Sequence, residues 1–457
     1  MKRENASSSL DFPHHSRRDF LRLGGTAAAS SALAAMTVPH VHAGEDNTIR
    51  LALIGCGGRG SGAAVNAFEA PGGPVKLVAM ADIFENRLRS AHENLIKLHP
   101  DKVDVPPERR FVGFDAYRKA IDCLRPGDIA LACTYPAFRV LHLEYAVEKG
   151  IHVFMEKSFA TDPVGIRRII KAGEEAEKKN LKIAAGLMCR HSKNRQELIR
   201  RIRDGQLGDI HLIRAYRMEP VGPLGPKPKG ENEILWQVRN SIRFLWVSGG
   251  LWAEMDIHQI DEICWLKDSW PISAHGICGR AANSTDASQN PDSFSVEWTF
   301  ADGAKAYDVV RYLPNCHNQF DTFVHGTKCA AQFSGAIHAG TVHTYKDQRC
   351  TPDNIDWKAP KEELTPWQAE WNVLLDAIRN DRTHNEAKRA ALSNLADMMG
   401  RAAMHTGQIV TWDDLQKSEF QWVPGGIDSV NENTAPWLAP DAQGRYPVPV
   451  PGQWKEV

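Results

Sequence analysis

One short stretch of this sequence has the residue types and spacing needed to hold a phosphorylated ligand. Gly55-Cys56-Gly57-Gly58-Arg59-Gly60 lies between the apolar run Ile49–Ile54 and a helical segment, and so matches G-x-G-x-x-G between a strand and a helix. Glycine permits the tight turn and lets backbone amides approach a pyrophosphate at the helix N-terminus. The spacing predicts a dinucleotide site. The alternative is a glycine-rich turn that binds no nucleotide.

A carboxylate lies where the ribose of such a dinucleotide would be recognised. Asp82 ends the second apolar run, Val75–Ala81, 22 residues beyond Gly60, and can bind both ribose hydroxyls. Because a carboxylate repels a 2′-phosphate, NAD is favoured over NADP. Arg87 leaves NADP open as the less favoured cofactor, since it could neutralise that phosphate. Arg59 is expected over the adenine or a phosphate.

A lysine follows a later strand at the edge where ligands bind. Glu156-Lys157-Ser158 comes directly after the apolar run Ile151–Met155. Ligands of open parallel sheets bind beyond the carboxyl ends of the strands. We therefore expect Lys157 to reach the nicotinamide end and to favour a substrate alkoxide. The alternative is a surface lysine paired with Glu156.

A third group lies on one helical stretch, from Gly249 to Asp261. Glu254, His258 and Asp261 share one face of a helix. Histidine is the natural proton acceptor near neutral pH, and a carboxylate one turn away would orient it. The alternatives are a core histidine and a metal site at Glu254 and His258. The metal site lacks a second strong pair of ligands, so no metal is predicted.

The elements that must position these residues change character along the chain. Apolar runs alternate with helical stretches over residues 46–165, which predicts a doubly wound parallel sheet. Residues 166–425 read as an α+β domain with a mostly antiparallel sheet, including strands at 211–218, 294–300, 304–311 and 321–325. Residues 426–457 are proline-rich and are expected to wrap a surface. The fold class is therefore α/β with two domains.

The front of the chain predicts export. Ser16-Arg17-Arg18-Asp19-Phe20-Leu21 is typical of a twin-arginine signal and precedes an uncharged stretch of 16 residues, Leu23 to Val38. That stretch is short for a membrane span, which needs about 20 residues. Residues 1–43 are expected to be removed, leaving a periplasmic protein with no membrane segment. The mature net charge of −3 argues against nucleic-acid partners.

Taken together, these residues resemble the glucose-fructose oxidoreductase / inositol dehydrogenase / rhizopine-catabolism (Gfo/Idh/MocA) family, in its exported bacterial branch. The resemblance rests on the glycine turn, Asp82, Thr134-Tyr135-Pro136, Glu156-Lys157 and the helix entry that ends at His258. It implies a Rossmann domain plus a domain whose large open sheet covers the substrate. It also implies a homo-oligomer, a dimer or a tetramer.

The family pattern also implies roles for individual residues. Lys157 would be the catalytic lysine and His258 the general acid/base, while Thr134 and Pro136 would line the nicotinamide and Glu156 the ribose. Two departures stand out: Ser158 replaces the usual proline, and Glu254 stands where many members have aspartate. Glu254 is expected to orient His258, with Asp256 or Asp261 as alternatives.

Substrate contacts are expected from polar and aromatic side chains near these groups. Arginine and asparagine can bind several sugar hydroxyls, and tryptophan can stack on a sugar face. The candidates are Arg190, Trp236, Arg239, Asn240 and Asp256. Ordinary surface or interdomain packing is the alternative for each.

The leading functional hypothesis is hydride transfer between NAD and a secondary alcohol of a sugar, glycoside or cyclic polyol. Because reduced NAD released outside the cytoplasm could not readily be reoxidised, the cofactor is expected to stay bound and to be reset in each cycle. The alternative is a redox-neutral glycosidase or lyase that oxidises, eliminates and reduces again. A non-catalytic nucleotide-binding sensor is a third hypothesis.

Overall fold

A computed structural model describes residues 47–335, 338 and 340–457. The predicted export signal, residues 1–43, lies outside the described residues. Among the described residues, no helix combines the length and the apolar character that crossing a membrane requires.

The first sheet has six parallel strands, and their order is β3-β2-β1-β4-β5-β6. This strand order is that of a Rossmann dinucleotide-binding fold, in which the order of the strands reverses between β1 and β4. The strands are β1 (Ile49–Ile54), β2 (Val75–Asp82), β3 (Arg110–Val112), β4 (Ile129–Ala132), β5 (His152–Met155) and β6 (Ile183–Ala185). The predicted doubly wound parallel sheet is confirmed.

Helices cover both faces of this sheet because its strands are apolar on both sides. Residues of β1, β4 and β5 are almost all buried. Asp162 caps the N-terminus of one helix, since its carboxylate accepts a hydrogen bond of 2.9 Å from Gly165 N. The helices are α1 (Gly58–Glu69), α2 (Glu85–Leu98), α3 (Ala116–Ile121), α4 (Pro136–Glu148), α5 (Pro163–Lys178) and α6 (Lys193–Arg203).

The second sheet has nine strands in the order β14-β13-β12-β11-β7-β10-β9-β8-β15. Only β7 and β10 pair in parallel, so the predicted mostly antiparallel sheet is confirmed. Its strands are β7 (Ile210–Met218), β8 (Ser273–Gly279), β9 (Ser293–Thr299), β10 (Lys305–Arg311), β11 (Gln319–Gly326), β12 (Ala330–Gly335), β13 (His343–Tyr345), β14 (Ile355–Lys358) and β15 (Val410–Thr411).

The remaining α-helices among the described residues come from the second half of the chain. They are α7 (Glu233–Arg239), α8 (Leu245–Ser248), α9 (Gly250–Lys267), α10 (Pro366–Arg379), α11 (Ala387–Thr406) and α12 (Trp412–Lys417). Fourteen of the eighteen residues of α9 are buried, so this helix lies inside the molecule rather than on its surface. Residues 48–457 form one compact unit, and the predicted domain boundaries stay predictions.

Candidate active site

The glycine turn has the backbone that a diphosphate site needs. Gly55 has φ +98°, a conformation that side chains rarely adopt, and a Cβ there would lie 2.6 Å from the Cys133 backbone. A Cβ on Gly60 would lie 2.1 Å from the Gly55 carbonyl oxygen. Gly57 and Gly58 face open space instead. Bare backbone amides therefore meet an incoming ligand at the N-terminus of α1.

A cavity of about 720 Å³ opens beside this turn, between α1 and α2. Three polar side chains that line it, Asn86, Ser90 and Asn94, repeat at four-residue intervals on one face of α2. These three residues were not predicted, although their four-residue spacing in the sequence indicates a shared face of a helix. Tyr135 and the predicted cofactor ligand Arg87 also line the cavity.

Asp82 holds the glycine turn against the end of β2. Its two carboxylate oxygens accept hydrogen bonds of 2.7 Å from Cys56 N and 2.8 Å from Phe84 N. Burial raises the pKa of Asp82, and these two hydrogen bonds oppose that shift. The side chain thus lies beside the cavity with its orientation fixed, while its predicted contact with a ribose stays a prediction.

The predicted substrate residues at the end of α7 lie near the cofactor side of the molecule. The guanidinium groups of Arg87 and Arg239 lie 4.9 Å and 4.3 Å from the centre of the Phe84 ring. Arg87 also donates to Tyr135 Oη and, over 3.1 Å, to the Arg239 carbonyl. The side-chain amide of Asn240 donates a hydrogen bond of 2.9 Å to the Trp236 carbonyl. Arg239 therefore neighbours the cavity beside α2.

Thr134 and Pro136 lie where β4 ends and α4 begins. Thr134 Oγ1 lies 3.1 Å from His142 Nδ1, and Pro136 is the first residue of α4. The buried Arg139 donates to the carbonyls of Ala132 and Thr134. This bonding fixes the turn next to the glycine loop, and the predicted contact of Thr134 and Pro136 with a nicotinamide stays a prediction.

Glu156 pairs with an arginine of the glycine turn. Its Oε1 atom accepts from Arg59 Nε at 3.0 Å and Nη2 at 2.5 Å. Glu370 of α10 lies nearby, 1% exposed, and neither of its oxygens has a hydrogen-bond partner among the described residues. Burial and the Glu156 charge raise the pKa of Glu370 well above its usual range. Glu370 was not predicted, because it belongs to a helix far from Glu156 in the sequence.

Lys157 binds Glu254, and this contact corrects one prediction. Lys157 Nζ lies 3.2 Å from Glu254 Oε1 and also donates to the Glu254 backbone carbonyl. Ser158 joins the same two segments, because its hydroxyl donates 2.6 Å to the Ala253 carbonyl. The Lys157–Ser158 peptide bond is cis. The glutamate expected to orient His258 instead holds the lysine.

His258 lies one turn further along α9 and is 6% exposed. Its ring centre is 4.5 Å from that of His338, and its Nδ1 has no hydrogen-bond partner among the described residues. Burial lowers the pKa of His258 well below 6.5, and His338 and Lys157 act in the same direction. At neutral pH this imidazole is uncharged and can accept a proton. Nothing in the sequence indicated His338, which follows β12.

Two other predicted residues have structural partners. Arg190 donates a hydrogen bond of 2.8 Å to each carboxylate oxygen of Asp261. Asp261 also accepts a hydrogen bond of 2.6 Å from the Ser393 hydroxyl. Asp256 is fully buried and accepts a 2.5 Å hydrogen bond from the Tyr312 hydroxyl. The structure therefore does not bring Asp256 to the crevice, because it lies on the face of α9 opposite Glu254. A substrate role for Arg190 stays a prediction.

The described residues contain no group of three or more histidine, cysteine, aspartate or glutamate side chains suited to hold a metal ion. The groups that the described residues bring to this site are the Lys157 ammonium, the neutral His258 imidazole and the backbone of the glycine turn. These groups meet at the carboxyl edge of the first sheet, where β1, β4 and β5 end.

Comparison with known proteins agrees with this arrangement. Residues 196–332 match the family model described as the GFO/IDH/MocA C-terminal domain. An inositol 2-dehydrogenase of Cereibacter sphaeroides is 25% identical over 240 residues, which are 52% of this chain and 60% of that protein. The chain thus matches less than two thirds of that relative's length.

Two solved structures have a similar fold. One is scyllo-inositol dehydrogenase from Lactobacillus casei with bound NAD(H) and scyllo-inositol, with a TM-score of 0.59 and 20% identity over 80% of this chain and 99% of that one. The other is aldose-aldose oxidoreductase from Caulobacter crescentus complexed with glycerol, with a TM-score of 0.60 and 18% identity over the same shares. The chain is therefore similar in fold to an inositol dehydrogenase, and its residues 196–332 match the model of the GFO/IDH/MocA C-terminal domain.

Proposed function

We propose that this protein is an NAD-dependent oxidoreductase that acts on a secondary hydroxyl of a sugar or cyclic polyol. The observation that carries the proposal is the meeting of Lys157 and His258 at the sheet edge that also holds the glycine turn. Similarity to an inositol 2-dehydrogenase and to a scyllo-inositol dehydrogenase supports a polyol as the substrate class.

The residues of the crevice fit a dinucleotide. The Gly55–Gly60 turn leaves no room for a Cβ at Gly60 and presents open backbone at Gly57. The neighbouring cavity of about 720 Å³ has the size of a nucleotide site. Asp82 at the end of β2 supports NAD over NADP, because its negative charge would repel a 2′-phosphate. These groups would bind the diphosphate and the adenosine half of the cofactor.

Residues of this chain supply the proton transfer and the charge stabilisation that the reaction needs. When bound, NAD supplies the acceptor for a hydride. His258 accepts the proton of the substrate hydroxyl on its neutral imidazole. Lys157 donates a hydrogen bond to the same oxygen and stabilises the negative charge that develops there. Glu254 holds the Lys157 ammonium in place through the 3.2 Å ion pair.

We infer further that the protein is exported with its cofactor and retains it through each cycle. The twin-arginine sequence at residues 16–21 supports export to the periplasm, since that route moves folded proteins. Outside the cytoplasm, a second sugar would have to reoxidise the bound cofactor. We also propose a homo-oligomer, with the open face of the nine-stranded sheet as the contact surface.

Purified protein mixed separately with myo-inositol, scyllo-inositol and glucose tests this function. We expect at least one of these compounds to produce the near-ultraviolet absorbance of reduced nicotinamide without added NAD. A protein that binds no NAD and oxidises none of them contradicts the proposal. Release of a sugar from a glycoside with no net reduction would instead assign the redox-neutral route.

A further inference from the structure

The loop that carries Lys157 is held from behind by α11. Asn394 of α11 accepts hydrogen bonds of 2.8 Å from Phe159 N and 3.0 Å from Ala160 N, directly after Lys157-Ser158. Arg401, two turns further along α11, donates 2.8 Å to the Thr161 carbonyl. The side chains of one helix thus fix three consecutive residues of this loop.

Arg401 also lies at the start of the helix that carries Glu254 and His258. A Cβ on Gly249, the residue before α9, would lie 2.7 Å from Arg401 Nη1, so the guanidinium is packed against that turn. This Nη1 atom has no hydrogen-bond partner among the described residues. One buried arginine therefore touches both segments that carry the proposed chemical groups.

A carboxylate from a distant part of the chain fixes this arginine. Glu456 accepts a hydrogen bond from Arg401 Nε on one oxygen, and its other oxygen lies 2.7 Å from His405 Nδ1. All three side chains are 1% exposed. A buried cation without its partner would be costly, so the position of Arg401 depends on Glu456.

The surrounding contacts lock Glu456 in place. Gly452 N donates 2.8 Å to the Thr406 carbonyl at the end of α11. Trp422 donates 2.9 Å from Nε1 to the same Thr161 carbonyl that Arg401 binds, and the Arg401 guanidinium lies 5.5 Å from its ring centre. The 451–457 segment and Trp422 therefore converge on the loop that follows Lys157.

We propose that Glu456 is a positioning residue for the active site: through Arg401 it sets the loop of Lys157 against the helix of Glu254 and His258. That the groups so positioned are catalytic rests on the proposed function. Glu456 and Arg401 touch neither substrate nor cofactor in this account. They act by keeping Lys157 Nζ on the Glu254 carboxylate.

The test measures Lys157 directly and needs neither cofactor nor substrate. Trace acetylation with acetic anhydride, followed by mass spectrometry of the Lys157 peptide, reports how firmly the ammonium is held by a carboxylate. In Glu456→Gln we expect Lys157 labelling to rise about threefold or more, because an amine released from the Glu254 carboxylate is more accessible to the reagent. Glu456→Asp should give a smaller rise. Lys455→Gln, at the exposed neighbouring residue, should leave labelling unchanged.

Kinetics on the same variants add a second readout. If the proposed oxidoreductase activity is present, kcat of Glu456→Gln should fall about tenfold or more, with KM and bound NAD close to the wild type. Unchanged Lys157 labelling in a folded Glu456→Gln protein overturns the positioning role, whatever the activity assay shows. Loss of folding in both Glu456→Gln and Glu456→Asp also overturns it, because Glu456 would then serve stability alone.

Discussion

At the scale of single residues, the proposed mechanism rests on Lys157, Glu254 and His258. The Lys157 ammonium is held by Glu254 over 3.2 Å, and His258 is buried and uncharged. The residue types and spacing in the sequence were enough to select all three. The pairing of Lys157 with Glu254 was not predictable, because it is a tertiary contact between residues 97 positions apart in the sequence.

Replacement of Lys157 by alanine tests its role. The variant loses the group that stabilises the developing alkoxide, so we expect turnover to fall by about a hundredfold or more. Bound NAD should stay near the wild-type level, since the glycine turn is untouched. The measurement is turnover per bound NAD, with Lys178→Ala as a control at an exposed lysine of α5. Turnover that matches the wild type would remove Lys157 from the mechanism.

The low pKa of His258 predicts the pH dependence of turnover. A proton acceptor must be uncharged, and burial keeps His258 uncharged well below pH 6.5. Turnover in the oxidation direction should therefore stay level as the pH falls from about 8 to about 6.5. His258→Gln should lower turnover about a hundredfold at every pH. A wild-type profile that falls with an apparent pKa near 6.5 would mean that His258 is not buried as described.

At the scale of elements, alternating apolar runs and helices predicted the parallel sheet well. The strands β8 and β12 were missed for identifiable reasons. The strand Ser273–Gly279 contains two glycines, and its exposed residues alternate with less exposed ones. The strand Ala330–Gly335 is short, rich in small residues and buried throughout. Neither segment has the β-branched alternation that marks a strand in sequence.

The glycine turn gives an element-scale prediction. In Gly60→Ala the new Cβ would meet the Gly55 carbonyl oxygen at 2.1 Å, so the turn must move. We expect affinity for NAD to fall about tenfold or more, while the rest of the sheet stays folded. Gly279→Ala is the matched control, since a Cβ there meets nothing within 4 Å. Equilibrium dialysis of the two variants decides; equal affinity would place the diphosphate elsewhere.

The helix α11 carries a buried carboxyl that predicts a pH effect on stability. Burial raises the pKa of Asp397 from 3.8 to about 7. The folded state therefore binds this proton more tightly than the unfolded state, and the associated stability is lost as pH rises from about 4 to about 7. Asp397→Asn has no carboxyl group to ionise, so it does not lose this stability. Its free energy of unfolding should exceed that of the wild type by up to about 4 kcal/mol at the upper end of that range.

Urea unfolding of both proteins at a series of pH values measures this difference. The gain of Asp397→Asn should be small near pH 4, grow with pH and level off above about pH 7. A constant difference between the two proteins at all pH values would show that Asp397 is ionised in the folded state. The neutral control is Asp413→Asn, at an exposed position of α12.

At the scale of the whole molecule, the site exists because two sheets and their helices meet. The glycine turn and Lys157 come from the first sheet, whereas Glu254 and His258 come from α9, which joins the second. The local sequence pattern predicted the glycine turn and Lys157 separately from the helix that carries Glu254 and His258. Glu370, His338 and Glu456 were beyond prediction, since they reach the site only through tertiary contacts between segments far apart in sequence.

The proposed function depends on a dinucleotide that stays bound at the glycine turn. To measure this, the protein is purified without added nucleotide and denatured, and the released nucleotide is quantified by mass spectrometry. We expect NAD(H) in an amount equimolar with the chain. A protein that emerges empty, and that takes up NAD only at about millimolar concentration, contradicts it.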